Sequence, residues 1–154
     1  MLLKSPEKLD GVDLHRLRRV GSGGGPVAGW LVAQLAERFG IEVVNYFGSN
    51  EGAALSSTPQ DIPDREHRAR YFPRFGVPGF QWSLRNAQRV RTRLVDPDTE
   101  REITESGQVG ELRFQGPAIF SGYYGAPELT ARAFDAQGYY RSGDLFEIAG
   151  ERQQ

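Results

Sequence analysis

The chain contains no cysteine in its 154 residues, which excludes disulfides, thiolate zinc sites and a cysteine nucleophile. Its only histidines are His15 and His67, and neither stands in an H-E-x-x-H pattern, so a multi-histidine metal centre is not expected. Its only lysines are Lys4 and Lys8; from residue 9 onward every cationic side chain is arginine or histidine. Neither charge is in excess, with 19 Lys and Arg against 20 Asp and Glu, which removes a global electrostatic case for nucleic acid or an acidic membrane. No apolar run approaches the roughly 18 residues of a membrane helix, and no signal-peptide core is present. These absences leave a soluble cytoplasmic protein as the expectation, with no nucleic-acid partner and no membrane span. The length suffices for one domain of ordinary size with a real core.

What is abundant is glycine, at 19 residues, implying many positions with positive φ or close backbone approach. Residues 1–17 read as a short helical or irregular entry, with Pro6-Glu7 a helix start. Leu17–Val20 reads as a short strand. Ser22-Gly23-Gly24-Gly25-Pro26 then breaks the chain, and Pro26 suits the first position of a helix. Val27, Leu31, Leu35 and Phe39 form a stripe on that helix, Gly40 stops it, and Ile41–Tyr46 reads as a strand buried on both faces. Strand, glycine loop, helix and strand together imply a parallel α/β unit.

The second half differs. Asp64–Arg70 is a mixed-charge run, read as a solvated face or helix. Arg89–Val95 alternates, with Arg89, Arg91 and Arg93 on a solvated face and Val90, Thr92 and Leu94 on a buried one. Asp96-Pro97-Asp98 is a turn, Glu111–Gln115 and Leu145–Ile148 are strands, and Pro127–Phe134 is a short helix. The expected fold class is therefore α/β: the end of a parallel α/β subdomain in residues 1–60, then a small antiparallel, barrel-like β subdomain in residues 61–154. The transition falls near residues 55–75.

Three stretches are candidates for chemistry, and each has a bland alternative. The glycine run at 21–26 either cradles a phosphate on backbone N–H groups or is only a tight strand-to-helix turn. No Gly-Lys-Ser/Thr follows it, and Pro26 occupies the third glycine position of a dinucleotide fingerprint, so neither standard phosphate motif is met. Asn45-Tyr46-Phe47-Gly48-Ser49-Asn50-Glu51-Gly52 stands at a strand's carboxyl end, where open α/β sheets bind ligands. It offers an aromatic ring, a glycine and a carboxylate for a base, a phosphate and a hard cation, or it is a polar strand exit. Tyr140-Arg141-Ser142-Gly143-Asp144-Leu145 places an acid where it accepts two hydrogen bonds from a vicinal diol, or is a turn whose Asp caps its own backbone.

In order and spacing these stretches resemble the adenylate-forming enzymes: acyl-CoA synthetases, aryl-CoA ligases, adenylation domains of peptide synthetases and firefly luciferase. Asn45-x-Phe47-Gly48-x-Asn50-Glu51 is similar to that family's N-x-Y-G-x-T-E core. Gly110-Glu111-Leu112 with Gly122-Tyr123-Tyr124 resembles its G-E-L and G-Y-Y/L elements, and Tyr140–Leu145 its Y-R-T-G-D-L. Ser22–Pro26 resembles its S-G-G-A/E-P loop, and Val95-Asp96-Pro97-Asp98-Thr99 its V-D-P-x-T turn. The resemblance runs from about Leu14 to Ile148. It implies an ATP-dependent ligase that adenylates a carboxylic acid, with ATP or AMP and Mg²⁺ bound and CoA as the acyl acceptor. It places Gly24, Gly25 and Phe47 beside the adenine and Asn45 on its exocyclic amine. It further places Gly48 and Asn50 at the phosphates, Glu51 on Mg²⁺, and Asp144 on both ribose hydroxyls. Asn50 stands where the family has threonine, and Ser142 likewise.

The family's lysine-bearing phosphate loop, its hinge and its catalytic lysine have no counterpart here. The chain therefore reads as an internal piece of a larger enzyme, with no catalytic residue of its own, inactive by itself and prone to self-association. The alternative is a non-catalytic nucleotide-binding or interaction module of the same origin; a dinucleotide-binding oxidoreductase is disfavoured by Pro26 and by the misplaced Glu42.

Overall fold

The computed structural model describes residues 11–150; Lys4, Lys8 and the helix start expected at Pro6-Glu7 lie outside the described residues. The elements in order are β1 (Arg19–Gly23), α1 (Gly29–Phe39), β2 (Glu42–Gly48), β3 (Ala54–Ser57), α2 (Arg65–Arg70), a 3₁₀ turn (Arg85–Gln88), β4 (Arg91–Val95), β5 (Glu102–Ile103), β6 (Val109–Gln115), α3 (Pro127–Ala133) and β7 (Tyr140–Glu147). They form a mixed α/β fold with two sheets, ordered β1-β2-β3 and β5-β4-β6-β7. The chain divides into two compact units. One comprises the described residues up to Phe47 with Leu55–Pro73; the other comprises Gly48–Ala54 with the described residues from Arg74 onward.

In the first unit β1 and β2 are parallel, with Gly21 opposite Val44 and Gly23 opposite Tyr46. The strand thus continues into the glycine run instead of ending at Val20. Its glycines are demanded by the neighbouring strand: a Cβ on Gly21 would lie 2.7 Å from the Tyr46 ring, and one on Gly23 3.0 Å from the Tyr46 carbonyl. Helix α1 begins at Gly29, not Pro26, because Val27 is buried ahead of it and Ala28 is still extended. Its deepest residues are Val32 and Ala36, beside the stripe of every fourth residue. A four-residue step overshoots the helical period by about 40°, so such a stripe drifts off the buried face. Gly40 closes the helix at φ 64°, its N–H reaching Ala36 O at 3.0 Å while the Ile41 N–H reaches Leu35 O at 3.1 Å. Val27, Val32, Val43 and Ala69 form the core, with Val20 and Leu35 packed against it. Asp64 caps α2 by accepting the His67 N–H at 2.7 Å. This helix is not a wholly solvated charge run: Arg68 is fully buried and ion-paired with Glu42.

In the second unit β4, β5, β6 and β7 pair antiparallel. The sheet is open, so the barrel-like expectation is corrected: β5 pairs at only Leu94–Ile103 and Val95–Glu102, too short an edge to close on anything. Alternation over residues 90–94 buries Val90, Thr92 and Leu94 as the pattern requires. Arg93, however, is packed rather than solvated: it pairs with Asp135 and lies 4.3 Å over the Tyr139 ring. Asp96 builds its turn by accepting the Asp98 and Thr99 N–H groups, each at 2.9 Å. β7 begins at Tyr140, before the expected Leu145, because an irregularity at residues 142–144 breaks its alternation and leaves Leu145 exposed. No described helix is long and apolar enough to cross a membrane.

Candidate functional site

In the first unit the candidates are Gly24, Gly25, Asn45 and Phe47. Gly24 has φ 80°, and a Cβ on either Gly24 or Gly25 would meet nothing within 4 Å. Of the run read as a glycine loop, these two leave β1 without being forced to glycine by a strand neighbour, and they present bare, open backbone. Asn45 is buried in β2 because its amide group is consumed locally. Its Nδ2 donates to the carbonyls of Arg68 at 3.3 Å and Ala69 at 3.1 Å, in α2. With both amide hydrogens spent, only Oδ1 remains to act, and it acts only as an acceptor. Phe47 is half-buried, its ring edge-on to Phe72 with centroids 6.3 Å apart.

In the second unit the candidates are Gly48, Asn50, Glu51 and Asp144. The Ser49 N–H bonds Ala53 O at 2.9 Å and the Gly52 N–H bonds Ser49 O at 3.2 Å, a tight loop that leaves Asn50 exposed at its tip. Gly48 lies beneath it, a Cβ there falling 3.2 Å from Ala53 O. The loop is pinned from outside. Phe120 donates its N–H to Glu51 O at 2.8 Å, and the Tyr123 hydroxyl donates to Glu51 Oε1 at 3.0 Å. The backbone N–H of Glu51 itself first, and then the Ser49 and Tyr123 side chains, hold its carboxyl below the ordinary value of 4.5. Burial pushes the nearby Tyr140 phenol up. The motif that contains Tyr123 assigns it no role. Only tertiary contact reveals it as the partner of Glu51.

Asp144 is exposed, and its carboxylate has no partner among the described residues. It stands next to Gly143, whose φ is 75°. Behind it lies a charged network the sequence did not disclose. Arg113, fully buried, bonds Glu111 through Nε at 2.7 Å, Glu100 at 2.8 and 2.9 Å, and Asp135 at 3.1 Å. Arg141 adds two bonds to Glu100, at 2.8 and 3.1 Å. These carboxylates push the Arg113 guanidinium up, Glu100 first among them, and the two arginines hold Glu100 far below its ordinary range.

No group of three His, Asp or Glu among the described residues could cage a metal. A single ionised carboxylate such as Glu51 still suits Mg²⁺, which takes one or two carboxylates and completes its shell with phosphates and water. In the first unit an amide acceptor and open glycine backbone are of the kind that meets an exocyclic amine and a flat base; in the second, a carboxylate without a partner among the described residues is of the kind that accepts a diol.

The family of AMP-binding enzymes matches residues 1–124 of the chain. The 4-coumarate–CoA ligase-like 2 protein of Arabidopsis thaliana is 29% identical over 140 residues, covering 90% of this chain and 22% of that protein. The feruloyl-CoA synthase of an Amycolatopsis species is 32% identical over 139 residues, covering 90% of this chain and 25% of that protein. Among solved structures, the amide bond synthetase McbA of Marinactinospora thermotolerans superposes with a TM-score of 0.71 at 29% identity, over 98% of this chain and 28% of that one. The chain thus spans about a quarter of the length of the proteins it resembles. On this match over most of its length, the chain belongs to the family of AMP-binding enzymes.

Proposed function

We propose that the chain supplies the nucleotide contacts of an ATP-dependent ligase that activates a carboxylic acid as its adenylate and passes the acyl group to CoA. In this reading Gly24, Gly25 and Phe47 flank the adenine, and Asn45 Oδ1 accepts a hydrogen bond from its exocyclic amine. Gly48 lets the phosphates approach, Asn50 offers its amide where the family has a threonine hydroxyl, and Asp144 accepts both ribose hydroxyls. Glu51 holds Mg²⁺, which when bound neutralises phosphate charge. A carboxylate oxygen of the acid attacks the α-phosphorus as the bond to pyrophosphate breaks; the thiol then displaces AMP from the acyl carbon.

The observation that supports this most directly is Asp144: an exposed carboxylate without a partner among the described residues, presented on a strand whose neighbours are held by a buried ion network. A diol donates two charge-assisted hydrogen bonds to such a group. Titration of the 154-residue chain with AMP should show weak binding that Asp144→Ala reduces about tenfold or more, the scale of one or two bonds to a charged group. AMP binding indifferent to Asp144→Ala overturns the ribose assignment. Pyrophosphate exchange by the same chain should be absent. Transfer needs positive charge at the leaving pyrophosphate, which the family resemblance assigns to a lysine, and residues 9–154 contain none. Measurable exchange overturns that assignment of labour.

A further inference from the structure

β6 and β7 pair in register from Val109–Glu147 to Glu111–Leu145 and again from Arg113–Arg141 onward, with a shift between. Across that shift three residues of β7, Ser142, Gly143 and Asp144, face the single residue Leu112 of β6. The extra residues form a bulge, a device that re-aims a side chain where a regular strand would not. Left to itself a bulge frees backbone donors and lets the strand slip, so its shape depends on what binds those donors.

Here each is bound. The Ser142 hydroxyl donates to Leu112 O and accepts the Asp144 N–H at 3.2 Å. The Gly143 N–H, displaced from the ladder, is accepted by Glu111 Oε1 at 3.2 Å, while Glu111 Oε2 takes Arg113 Nε at 2.7 Å. Glu111 is buried and Arg113 fully so, and Arg113 is fixed in turn by Glu100 and Asp135. One carboxylate therefore ties the bulge to a rigid part of the sheet. The residue it holds, Gly143, is the one immediately before Asp144.

We infer that Glu111 is a positioning residue for Asp144: it holds the Gly143 N–H so that the bulge presents the Asp144 carboxylate to a ribose diol. This rests on the assignment of Asp144 to the ribose. Glutamine at 111 keeps an acceptor oxygen but sets an amide N–H₂ against Arg113 Nε, donor against donor, so the clamp loosens while side-chain volume is preserved.

The test compares AMP with 2′-deoxy-AMP on the full chain by NMR titration, and follows hydrogen exchange at the Gly143 amide. Wild type is expected to favour AMP, and Asp144→Asn to erase the preference. Glu111→Gln should lower the preference about threefold to tenfold, the scale of a single lost hydrogen bond, and speed Gly143 exchange. Ser142→Ala, which cuts the other tie and leaves the Arg113 network intact, should act in the same direction. A preference unchanged in Glu111→Gln but erased in Asp144→Asn overturns the positioning role and leaves the ribose assignment standing. Unchanged exchange at Gly143 overturns it as well. A preference that survives Asp144→Asn, or is absent from wild type, overturns the ribose assignment and this inference with it.

Discussion

Single residues carry two kinds of constraint in this chain, and Gly52 shows the sharper. Its φ is 93°, and a Cβ there would lie 2.0 Å from the Ala118 carbonyl oxygen, in the same unit. The glycine is thus the point at which the Glu51 loop can lie against residues 118–120 closely enough for Phe120 and Tyr123 to hold Glu51. Gly52→Ala combines left-handed strain of about 1–2 kcal/mol with a backbone clash that only displacement of the loop relieves. A loss of about 3 kcal/mol in urea unfolding is expected. An alanine variant as stable as wild type would mean the loop does not sit where these contacts place it. Gly24 and Gly25 are the contrast, since open space surrounds both and alanine at Gly25 should leave stability unaffected.

Among the elements, α2 depends on a side chain from β2. Arg68 is fully buried, and burial, its largest influence, lowers its pKa despite the opposing charge of Glu42. Its guanidinium also donates to the Ile62 carbonyl at 3.1 Å. Removing the acid leaves a desolvated cation with neutral acceptors alone, and breaking a buried pair in this way is more costly than the pair is favourable. Glu42 is itself about one-third exposed, so solvent recovers part of the loss. Glu42→Ala should destabilise by about 2 kcal/mol, whereas replacing Arg68 and Glu42 together with Leu and Ala should cost less than the sum. Additive effects in that double-mutant cycle would show that the pair is not coupled. Asn45 donates to the same helix, so its substitutions report on α2 docking as well as on any ligand.

For the molecule as a whole, acid should act first on the second unit. Glu100 is held below its ordinary value of 4.5 by Arg113 and then Arg141. Asp135 is also lowered from 3.8: burial opposes this most strongly, but the Tyr139 N–H, Arg93 and Arg113 together outweigh it. Both are groups whose folded pKa is depressed. Their contribution is complete above the unfolded values and is lost as pH falls through the folded ones. The melting temperature is therefore expected to vary little on their account between pH 7 and 5, and to fall below about pH 4.5. Glu100→Gln should start from lower stability and show a shallower acid limb. An acid limb of the same steepness in that variant would remove Glu100 from the explanation.

Local pattern sufficed for the features whose physics is local. Gly40 as a left-handed helix stop, the Asp96 turn, the alternation that buries Val90, Thr92 and Leu94, and the collinear motifs of an AMP-binding enzyme all depend on neighbours a few residues away. Other features depended on partners far along the chain. Gly21 and Gly23 looked like a loop because nothing nearby shows that Tyr46 lies across the sheet from them. Arg68 and Arg93 looked solvated because charge in a sequence reads as exposure until an acid 26 or 42 residues away is brought to it. The open edge at β5 and the three-against-one bulge that presents Asp144 are matters of strand register. Residue types supply the carboxylates and amides of the candidate site. Tertiary pairing decides which of their hydrogen-bonding atoms are already spent and which are left free to meet a ligand.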